Sequence, residues 1–313
     1  MANRWLAYYQ TVLLAGVLLL FLQHLVSAVL GVESPTVLTD YIAAGFIGGA
    51  GLASLLNMVH CADVPKFLRS LPPRCVQTVI ADPPYFQVLP ETWDNQWASF
   101  QEYLEWSMVW LQECMRVLRR NGLCFIFGQV GRREWGFLDF CSQATHLYQF
   151  HDLIVWDRAV GYQRRDSVDP AYELILVLRN SDRVKFFKHR VRTPYDQATI
   201  LKYAKDKRYK SKAARLAHLR RGKYATNIIR VPSLRGSSWE KVGHTCQKPL
   251  DLVRKLILLT TDRAEVVLDP FAGSGTTAVA AMELGRRWIS IERKPKYCRM
   301  IERRLASVAA PKE

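Results

Sequence analysis

Apolar runs alternate with longer amphipathic segments along most of the chain. From about residue 57 onward, short runs rich in Val, Ile, Leu and Phe are typical of buried strands. Seven are predicted as strands, at residues 57–60, 77–81, 123–127, 152–156, 172–178, 265–268 and 287–291. Apolar positions at helical spacing predict helices over residues 99–120, 249–261 and 275–285, and Asn121-Gly122 is a typical end signal for the first. The alternation predicts an α/β fold with a doubly wound, mostly parallel, seven-stranded sheet.

Residues 1–56 differ from this pattern and form an apolar N-terminal extension. Within it, TVLLAGVLLLFLQHLVSAVLG at residues 11–31 has no charged side chain and is long enough to cross a bilayer. A second apolar, glycine-rich stretch follows at residues 42–56. Two interpretations stay open, an anchor that contacts the membrane from the cytoplasmic side and a buried or vestigial extension. A cleaved signal peptide is disfavoured, because the rest of the chain has the character of a cytoplasmic protein.

The charge of the chain is strongly basic and unevenly spread. The 313 residues include 44 Lys and Arg against 28 Asp and Glu, which gives a net charge of +16. Residues 1–62 contain only one basic and two acidic residues, so the excess lies in the remainder. Such a basic body suggests a polyanionic partner, most often nucleic acid, although a solvated basic surface fits the composition equally well.

The regular alternation breaks over residues 183–242, where basic residues are concentrated. Residues 202–223 contain ten Lys or Arg and a single acidic residue, Asp206. Because this run is inserted between predicted sheet elements of a basic body, a segment that contacts nucleic-acid phosphates is favoured over a solvated face. The residues predicted to make these contacts are Lys202, Lys205, Lys207, Arg208, Lys210, Lys212, Arg215, Arg220, Arg221 and Lys223.

The seven cysteines are spaced irregularly along the chain. No two of them form a Cys-x-x-Cys pair, and no His and Cys cluster has the spacing of a zinc site. We therefore expect free thiols, as in a cytoplasmic protein, and no metal ion.

A glycine-rich turn follows one of the predicted strands in the sequence VVLDPFAGSGTT, residues 266–277. Gly273 and Gly275 permit a tight bend and a close approach of backbone N–H groups to a ligand at the start of a helix. No Gly-Lys-Ser/Thr follows, which excludes a P-loop. Glu292 ends the next strand, in the position where an acidic residue holds a ribose diol. The combination predicts a nucleotide-type cofactor.

A second strand ends abruptly in the sequence TVIADPPYFQV, residues 78–88. Proline cannot continue a central strand, because it has no N–H to donate to the neighbouring strand. The ordinary explanation of such an Asp-Pro is a capped turn. The prolines also fix the backbone that carries Asp82.

Together, DPPY at 82–85, GHTCQKP at 243–249 and FAGSGTT at 271–277 resemble the amino-group DNA methyltransferases that use S-adenosylmethionine. The resemblance covers roughly residues 57–309. The order of the motifs is similar to the beta-class circular permutation of the Rossmann-like methyltransferase fold. It implies a catalytic half at residues 57–182, a target-recognition insertion at 183–242 and a cofactor-binding half at 243–313. The stretch 193–208 is most similar to bacterial adenine-N6 enzymes of restriction–modification systems.

The resemblance implies a set of site residues. The catalytic residues are Asp82, Pro83, Pro84 and Tyr85. The cofactor-binding residues are Asp63, Asp82, His244, Gln247, Lys248, Asp269, Phe271, Ala272, Gly273, Ser274, Gly275, Thr276 and Glu292. Within this set, the QKP element is expected to help bind the methionine end of the cofactor. The chain departs from the family in having Thr245-Cys246 where Pro-Thr is common, and Tyr172-Glu173 where His-Glu is common.

The implied reaction is transfer of a methyl group from S-adenosylmethionine to the N6 amine of a flipped-out adenine in double-stranded DNA. The Asp82 carboxylate and the Pro83 carbonyl would accept hydrogen bonds from that amine. Tyr85 would stack on the base, with Phe86 or Trp156 as candidates for its other face. The family also implies a cytoplasmic enzyme, a separately acting restriction endonuclease as a partner system, and a homodimer as one assembly.

Other functions remain open at this point. Cytosine-N4 methylation needs the same site geometry, although cytosine-N4 relatives more often have serine where this chain has Asp82. Methyltransferases of RNA or of protein glutamine usually have Asn-Pro-Pro-Tyr and place the cofactor loop before it. A non-enzymatic DNA-binding or membrane-tethering protein is disfavoured, because the four DPPY positions and both loop glycines are intact.

Overall fold

The computed structural model describes residues 49–309, apart from residues 89, 131–135, 162–164, 166–167, 206–207 and 209–210. The chain divides into two compact units, residues 1–54 and residues 55–313. Of the first unit, a short helix α1 (Gly49–Ala53) is described. The apolar stretch 11–31 lies outside the described residues. Within the described part of the chain, no helix has both the length and the apolar character needed to cross a bilayer.

The described residues of the second unit form alternating strands and helices. The strands are β1 (Met58–Cys61), β2 (Val76–Ala81), β3 (Leu118–Gly128), β4 (Gln149–Asp157), β5 (Tyr172–Arg179), β6 (Arg192–Thr193), β7 (Lys223–Tyr224), β8 (Ile228–Arg230), β9 (Val266–Asp269) and β10 (Arg287–Glu292). The helices are α2 (Val64–Ser70), α3 (Phe100–Val117), α4 (Gly136–Leu147), α5 (Gln197–Ala204), α6 (Lys212–Arg221), α7 (Leu250–Thr260), α8 (Thr276–Glu283) and α9 (Pro295–Ala309), with a 3₁₀ turn at Lys188–Arg190.

One large sheet has the strand order β1-β10-β9-β2-β3-β5-β4-β8. Its neighbouring strands run parallel except for β5, which is antiparallel to both β3 and β4. The predicted doubly wound, mostly parallel α/β fold is therefore confirmed. The predicted number of seven strands is wrong, because the described residues contribute eight. The additional strand β8 belongs to the predicted insertion, and its three residues pair with the outer edge of β4.

Strand β2 lies in the middle of the sheet and is buried along its whole length. A parallel sheet is covered by helices on both faces, so its strands lack an exposed polar face. This burial includes the hydroxyl of Thr78, which donates a hydrogen bond to the hydroxyl of Thr260 in α7 at 2.7 Å. The bond satisfies a polar group that would otherwise be costly to bury and fixes α7 against the strand.

The first long helix ends earlier than its sequence pattern predicts. Helix α3 begins after Ser99, whose side chain accepts from the N–H of Glu102, and it ends at Val117. Asn121 and Gly122 lie within β3, at an irregularity in its register against β2. A Cβ atom on Gly122 would lie 2.5 Å from the carbonyl oxygen of Gln77. The glycine is therefore required by close approach of two strands rather than by a helix end.

The carboxyl ends of β1, β10, β9 and β2 meet along one edge of the sheet. Strands β2 and β9 are neighbours through the pairs Thr78–Val267 and Val79–Leu268. Asp82, which follows β2, and Asp269, which ends β9, therefore lie at the same edge although they are far apart in sequence. Ligands of doubly wound sheets bind at this edge.

We predict that Gly275→Ala destabilises the fold by roughly 2–4 kcal/mol. Gly275 has a φ angle of 74°, and a Cβ atom there would lie 2.5 Å from Cγ2 of Ile301. Urea unfolding measures the effect. The matched control is Gly236→Ala, because a Cβ at Gly236 meets nothing within 4 Å. Equal stability of the two variants would contradict the packing of α9 on the glycine turn.

Candidate functional site

A cavity of about 420 Å³ lies at the carboxyl edge of the sheet. Loops after β1, β2, β9 and β10 supply most of its wall. The residues of the predicted site that line it are Asp63, Asp82, Pro83, Pro84, Tyr85, His244, Lys248, Asp269, Phe271, Ala272, Gly273, Ser274, Thr276 and Glu292. The fold thus brings the DPPY loop and the glycine turn to the same space.

Two residues of the predicted cofactor set do not line the cavity. Gln247 is buried, and its amide donates to the carbonyl of Glu240 and accepts from the N–H of Val242. Both ends of this side chain are used to fold its own loop, which corrects its expected contact with the cofactor. Gly275 begins α8 in the left-handed conformation and packs against Ile301. Gly275 therefore contributes to the bend of the turn and does not face the cavity.

The glycine turn and the acidic residue after β10 are joined directly. The N–H of Gly273 donates to Oε2 of Glu292 at 3.0 Å, and the N–H of Lys294 donates to Oε1 at 2.7 Å. Burial raises the pKa of Glu292 above its ordinary value, while the backbone N–H groups oppose this shift. These two bonds give the carboxylate one fixed orientation at the cavity wall.

Helix α9 holds the glycine turn through the side chain of Arg304. Nη1 of Arg304 donates to the carbonyl of Ser274 at 2.9 Å and to the hydroxyl of Thr276 at 3.0 Å. The Thr276 hydroxyl in turn donates to the carbonyl of Lys248 at 3.1 Å. Arg304 was not predicted as a site residue, because its only signal in the sequence is its position three residues after Ile301 on one face of an amphipathic helix.

The DPPY loop is fixed by its own side chains and by the loop that follows it. The hydroxyl of Tyr85 donates to Oδ1 of Asp82 at 2.8 Å, and the N–H of Tyr85 donates to Oδ1 of Asp94 at 2.8 Å. Asp94 is almost completely buried. Nζ of Lys248 donates to Oδ2 of Asp82 at 2.6 Å. Both oxygens of the Asp82 carboxylate are therefore held.

The contact between Lys248 and Asp82 joins the QKP element to the DPPY loop. The ammonium lies on the carboxylate of the DPPY loop and is also 3.4 Å from Oε2 of Glu173. Burial lowers the pKa of Lys248, but the carboxylates of Asp82 and Glu173 outweigh burial and hold that pKa above its ordinary value. The lysine is therefore a permanent cation at the base of the site.

The two aromatic residues suggested for the second face of a base are placed elsewhere. Trp156 is 2% exposed, and its indole N–H donates to the carbonyl of Val231 at 2.8 Å. Phe86 packs against Phe100 and Tyr103, with ring centroids 5.5 and 5.8 Å away. Tyr85 alone of the three suggested rings lines the cavity.

An aromatic wall that the sequence analysis missed closes the other side of the cavity. Trp93 stacks on His244 with centroids 6.1 Å apart, and Tyr297 meets the edge of His244 at 4.6 Å. Nζ of Lys294 lies 4.1 Å above the Trp93 ring and donates to the hydroxyl of Thr92. The loop after DPPY therefore reaches across to the residues after β10. The only sequence signal was the density of tryptophan between residues 93 and 110.

Two further carboxylates support the local backbone. Asp63 caps helix α2 by accepting from the N–H of Lys66 at 3.2 Å. Asp269 is buried and accepts from the N–H of Phe271 at 3.0 Å. Burial raises the pKa of Asp269 to about 7. Both residues line the cavity, and both also determine the path of the chain around it.

Helices α5 and α6 belong to the described residues of the basic insertion. Predicted phosphate contacts that are exposed on it are Lys202, Lys205, Arg208, Lys212, Arg220, Arg221 and Lys223. Lys207 and Lys210 lie outside the described residues. Arg215 is 8% exposed and donates to the carbonyl of Ala204, which ties α6 to α5. Its predicted contact with DNA is corrected, because the guanidinium is used inside the insertion.

Neither disulfide bonds nor a metal-binding cluster are found among the described residues. All seven cysteines are free thiols. Among the described residues, no group of three or more His, Cys, Asp or Glu side chains is arranged to hold a metal ion.

Comparison with known proteins identifies the relatives of the chain. The family model described as DNA methylase matches residues 76–303. Type II methyltransferase M.BglII of Bacillus subtilis is 30% identical over 251 residues, which cover 77% of this chain and 67% of that protein. DNA adenine methyltransferase YhdJ of Escherichia coli (strain K12) is 29% identical over 265 residues, which cover 80% and 82% respectively.

Solved structures share the fold at lower sequence identity. The PvuII DNA methyltransferase (cytosine-N4-specific) superimposes with a TM-score of 0.60 at 17% identity, over 82% of this chain and 86% of that chain. The M1.HpyAVI–SAM complex superimposes with a TM-score of 0.53 at 24% identity, over 79% and 98% respectively.

We predict that His244 makes the fold less stable as the pH falls. Burial, together with the ammonium groups of Lys248, Lys241 and Lys294, lowers the pKa of His244 to about 4. An unfolded histidine has a pKa of about 6.5, so below that pH the unfolded chain binds a proton that the folded chain does not, and this stabilises the unfolded state. Between about pH 6.5 and about pH 4, the free energy of unfolding therefore falls.

The variant His244→Gln is expected to reduce this dependence on pH, measured by urea unfolding at about pH 7 and about pH 5. The exposed residue His146 on α4 provides the control variant, His146→Gln. An unchanged dependence in His244→Gln would contradict the burial of a neutral imidazole at the cavity wall.

Proposed function

The chain belongs to the DNA methylase family whose model matches residues 76–303, and we propose that it methylates the N6 amine of adenine in double-stranded DNA. We propose S-adenosylmethionine as its methyl donor. The observation that carries the proposal is the presence of the Asp82 carboxylate and the Gly273 turn in one cavity. The proposal also includes a cytoplasmic location, and it includes a restriction–modification setting, which the names of the Type II methyltransferase relatives support.

The residues of the cavity suit a nucleoside with a cationic sulfur centre. A volume of about 420 Å³ falls within the range of small-molecule sites. Glu292 would hold the ribose hydroxyls, and Asp63 would lie on the adenine side of the ligand. Gly273 leaves the space in front of His244 open, since a Cβ atom would lie 3.1 Å from that ring. The lowered pKa of His244 keeps its ring neutral, so it does not repel a cation.

When bound, S-adenosylmethionine supplies an electrophilic methyl group on its sulfonium. The residues of the DPPY loop prepare the amine that receives it. An exocyclic amine is a weak nucleophile, because its lone pair is delocalised into the ring. Hydrogen bonds to the Asp82 carboxylate and the Pro83 carbonyl favour a pyramidal nitrogen and stabilise the positive charge that develops there. Pro83 and Pro84 restrict the backbone, so the carbonyl keeps its direction.

The target base must leave the duplex before it can reach this loop. Tyr85 offers a flat face at the cavity, and its hydroxyl is fixed on Asp82. The exposed basic residues of α5 and α6 would hold the phosphates of the duplex. In this proposal the insertion binds the DNA backbone, and the residues at the carboxyl edge of the sheet carry out methyl transfer.

Adenine is favoured over cytosine by three observations of unequal weight. Aspartate opens the DPPY loop, residues 193–208 resemble adenine-N6 enzymes, and one relative is named a DNA adenine methyltransferase. Cytosine-N4 methylation is the second candidate, because the fold is shared with the PvuII DNA methyltransferase (cytosine-N4-specific).

Nucleoside analysis of DNA methylated by the purified protein separates these candidates. We expect N6-methyldeoxyadenosine. N4-methyldeoxycytidine would overturn the choice of base but keep the reaction class. Labelled methyl groups in RNA or protein, with none in DNA, would overturn the proposed substrate.

We predict that Asp82→Asn lowers the rate of methyl transfer, whereas Glu292→Gln weakens binding of the methyl donor. Asp82→Asn is expected to lower the methyl-transfer rate by at least about 10²-fold, because a charged acceptor is lost at the reacting nitrogen. Glu292→Gln is expected to weaken S-adenosylmethionine binding by at least about tenfold, because a charged hydrogen-bond acceptor is lost. Single-turnover kinetics and calorimetry measure these two effects.

The control for these variants is Glu302→Gln, on the exposed face of α9. Normal binding of the donor by Glu292→Gln would contradict the ribose-binding role of Glu292. Normal turnover by Asp82→Asn would contradict the catalytic role of Asp82.

We predict that the basic insertion sets the salt dependence of DNA binding. Changing Lys202, Lys205 and Arg220 together to Gln is expected to reduce the slope of log K against log salt by up to about 0.9 per lost phosphate contact. The matched control removes three exposed charges of α9, Lys296, Arg299 and Arg303. Equal slopes for the two triple variants would show that the insertion has only a solvated basic surface.

A further inference from the structure

Four side chains of alternating charge form a continuous buried row behind the DPPY loop. Nη1 of Arg158 is 3.2 Å from Oε1 of Glu173, and Oε2 of Glu173 is 3.4 Å from Nζ of Lys248. Nζ of Lys248 is 2.6 Å from Oδ2 of Asp82. The exposed fraction of the side chains rises along the row from 7% at Arg158 and Glu173 to 10% at Lys248 and 23% at Asp82. Only its last two members line the cavity.

The carboxylate of Glu173 is held in place by hydrogen bonds from two other segments of the sheet. Glu173 belongs to β5, where its backbone pairs with Trp156 of β4. Its Oε1 atom accepts from Arg158, which follows β4, and from Nε2 of Gln129, which follows β3, at 3.1 Å. Arg158 is itself anchored on the carbonyl of Pro170 at 2.9 Å. Three segments of the sheet therefore hold the carboxylate, and its Oε2 atom is left facing Lys248.

The position of Lys248 depends on charge rather than on shape. Its ammonium lies among aromatic rings, with centroids 5.1 Å away for Phe127, 5.8 Å for Tyr85 and 5.9 Å for Trp156. These faces attract a cation from several directions and do not by themselves select one position. The two carboxylates on either side of the ammonium do select one. A buried charge that loses one such partner is strongly disfavoured.

A row of buried charges is a weak source of stability, since well-packed apolar side chains often serve as well. Its value in this protein is therefore expected in the orientation of Asp82. With Oδ2 occupied by Lys248, the carboxylate cannot rotate freely about its own axis. An error of about 1 Å in the position of a reacting group can cost about 10²-fold in rate.

We propose that Glu173 is a positioning residue for methyl transfer, which holds the Lys248 ammonium against Asp82 and thereby fixes the catalytic carboxylate. The inference rests on the proposed role of Asp82. Glu173 does not touch the substrate, and it acts through Lys248 alone. Loss of its charge should therefore lower the rate of the chemical step and leave the binding of both substrates nearly unchanged.

The test compares Glu173→Gln, Lys248→Met and the double variant. Glu173→Gln keeps the size of the side chain and removes the charge that faces Lys248. We expect its single-turnover rate to fall at least about tenfold, with Kd values for S-adenosylmethionine and for DNA within about threefold of the wild type. Because Glu173 acts through Lys248, the double variant should be no slower than Lys248→Met alone.

The control is Glu265→Gln, which removes a half-buried partner of Lys185 at 2.7 Å, away from the cavity. It should reduce stability without reducing the rate. Thermal unfolding of each variant reports any loss of folding, and the double variant, in which both charges are gone, keeps the test usable if Glu173→Gln folds poorly.

A wild-type rate in Glu173→Gln, or rate losses that multiply in the double variant, would overturn the inference. A wild-type protein that transfers no methyl group to DNA would instead overturn the proposed function. The two failures are therefore distinguishable.

Discussion

The parallel pairing of β2 with β9 is the constraint on which the site depends. It joins a strand from the first half of the domain to one near its end, through Val79 and Leu268. Because both strands run in the same direction, Asp82 and the glycine turn emerge at one edge. The order of the motifs along the chain then has no effect on their geometry, which is why a permuted arrangement can still build one cavity.

Acidic and basic side chains of the domain lie at different places and suit different ligands. The cavity wall presents the carboxylates of Asp63, Asp82 and Glu292, which suit a cationic donor, and His244 stays neutral beside them. The insertion exposes a further group of lysines and arginines on α5 and α6, where a polyanion would bind. Lys248 is a buried cation between two carboxylates, and it connects the DPPY loop to the interior of the sheet.

The sequence predicted the elements whose pattern is local. Strands β2 and β9 were recognisable because both are buried apolar runs, and Asp82 and Glu292 because each follows such a run. Features that depend on tertiary contact were not. Asn121-Gly122 looks like a helix end, but Gly122 is needed where β3 approaches Gln77. Strand β8 is too short and too exposed to carry a pattern. Gln247 and Arg215 are buried and bond within their own segments, and Lys248 bonds Asp82 of a distant loop, so motif position alone did not predict these contacts. Trp93 and Arg304 had no chemical motif at all.

A crystal structure with the reaction product S-adenosylhomocysteine tests most directly whether the two halves build one methyl-transfer site. We predict that the ribose hydroxyls lie within hydrogen-bond distance of the Glu292 carboxylate and that the sulfur faces Asp82 across the cavity. Electron density for the nucleoside at another location, or a sulfur turned away from the DPPY loop, would contradict the central claim.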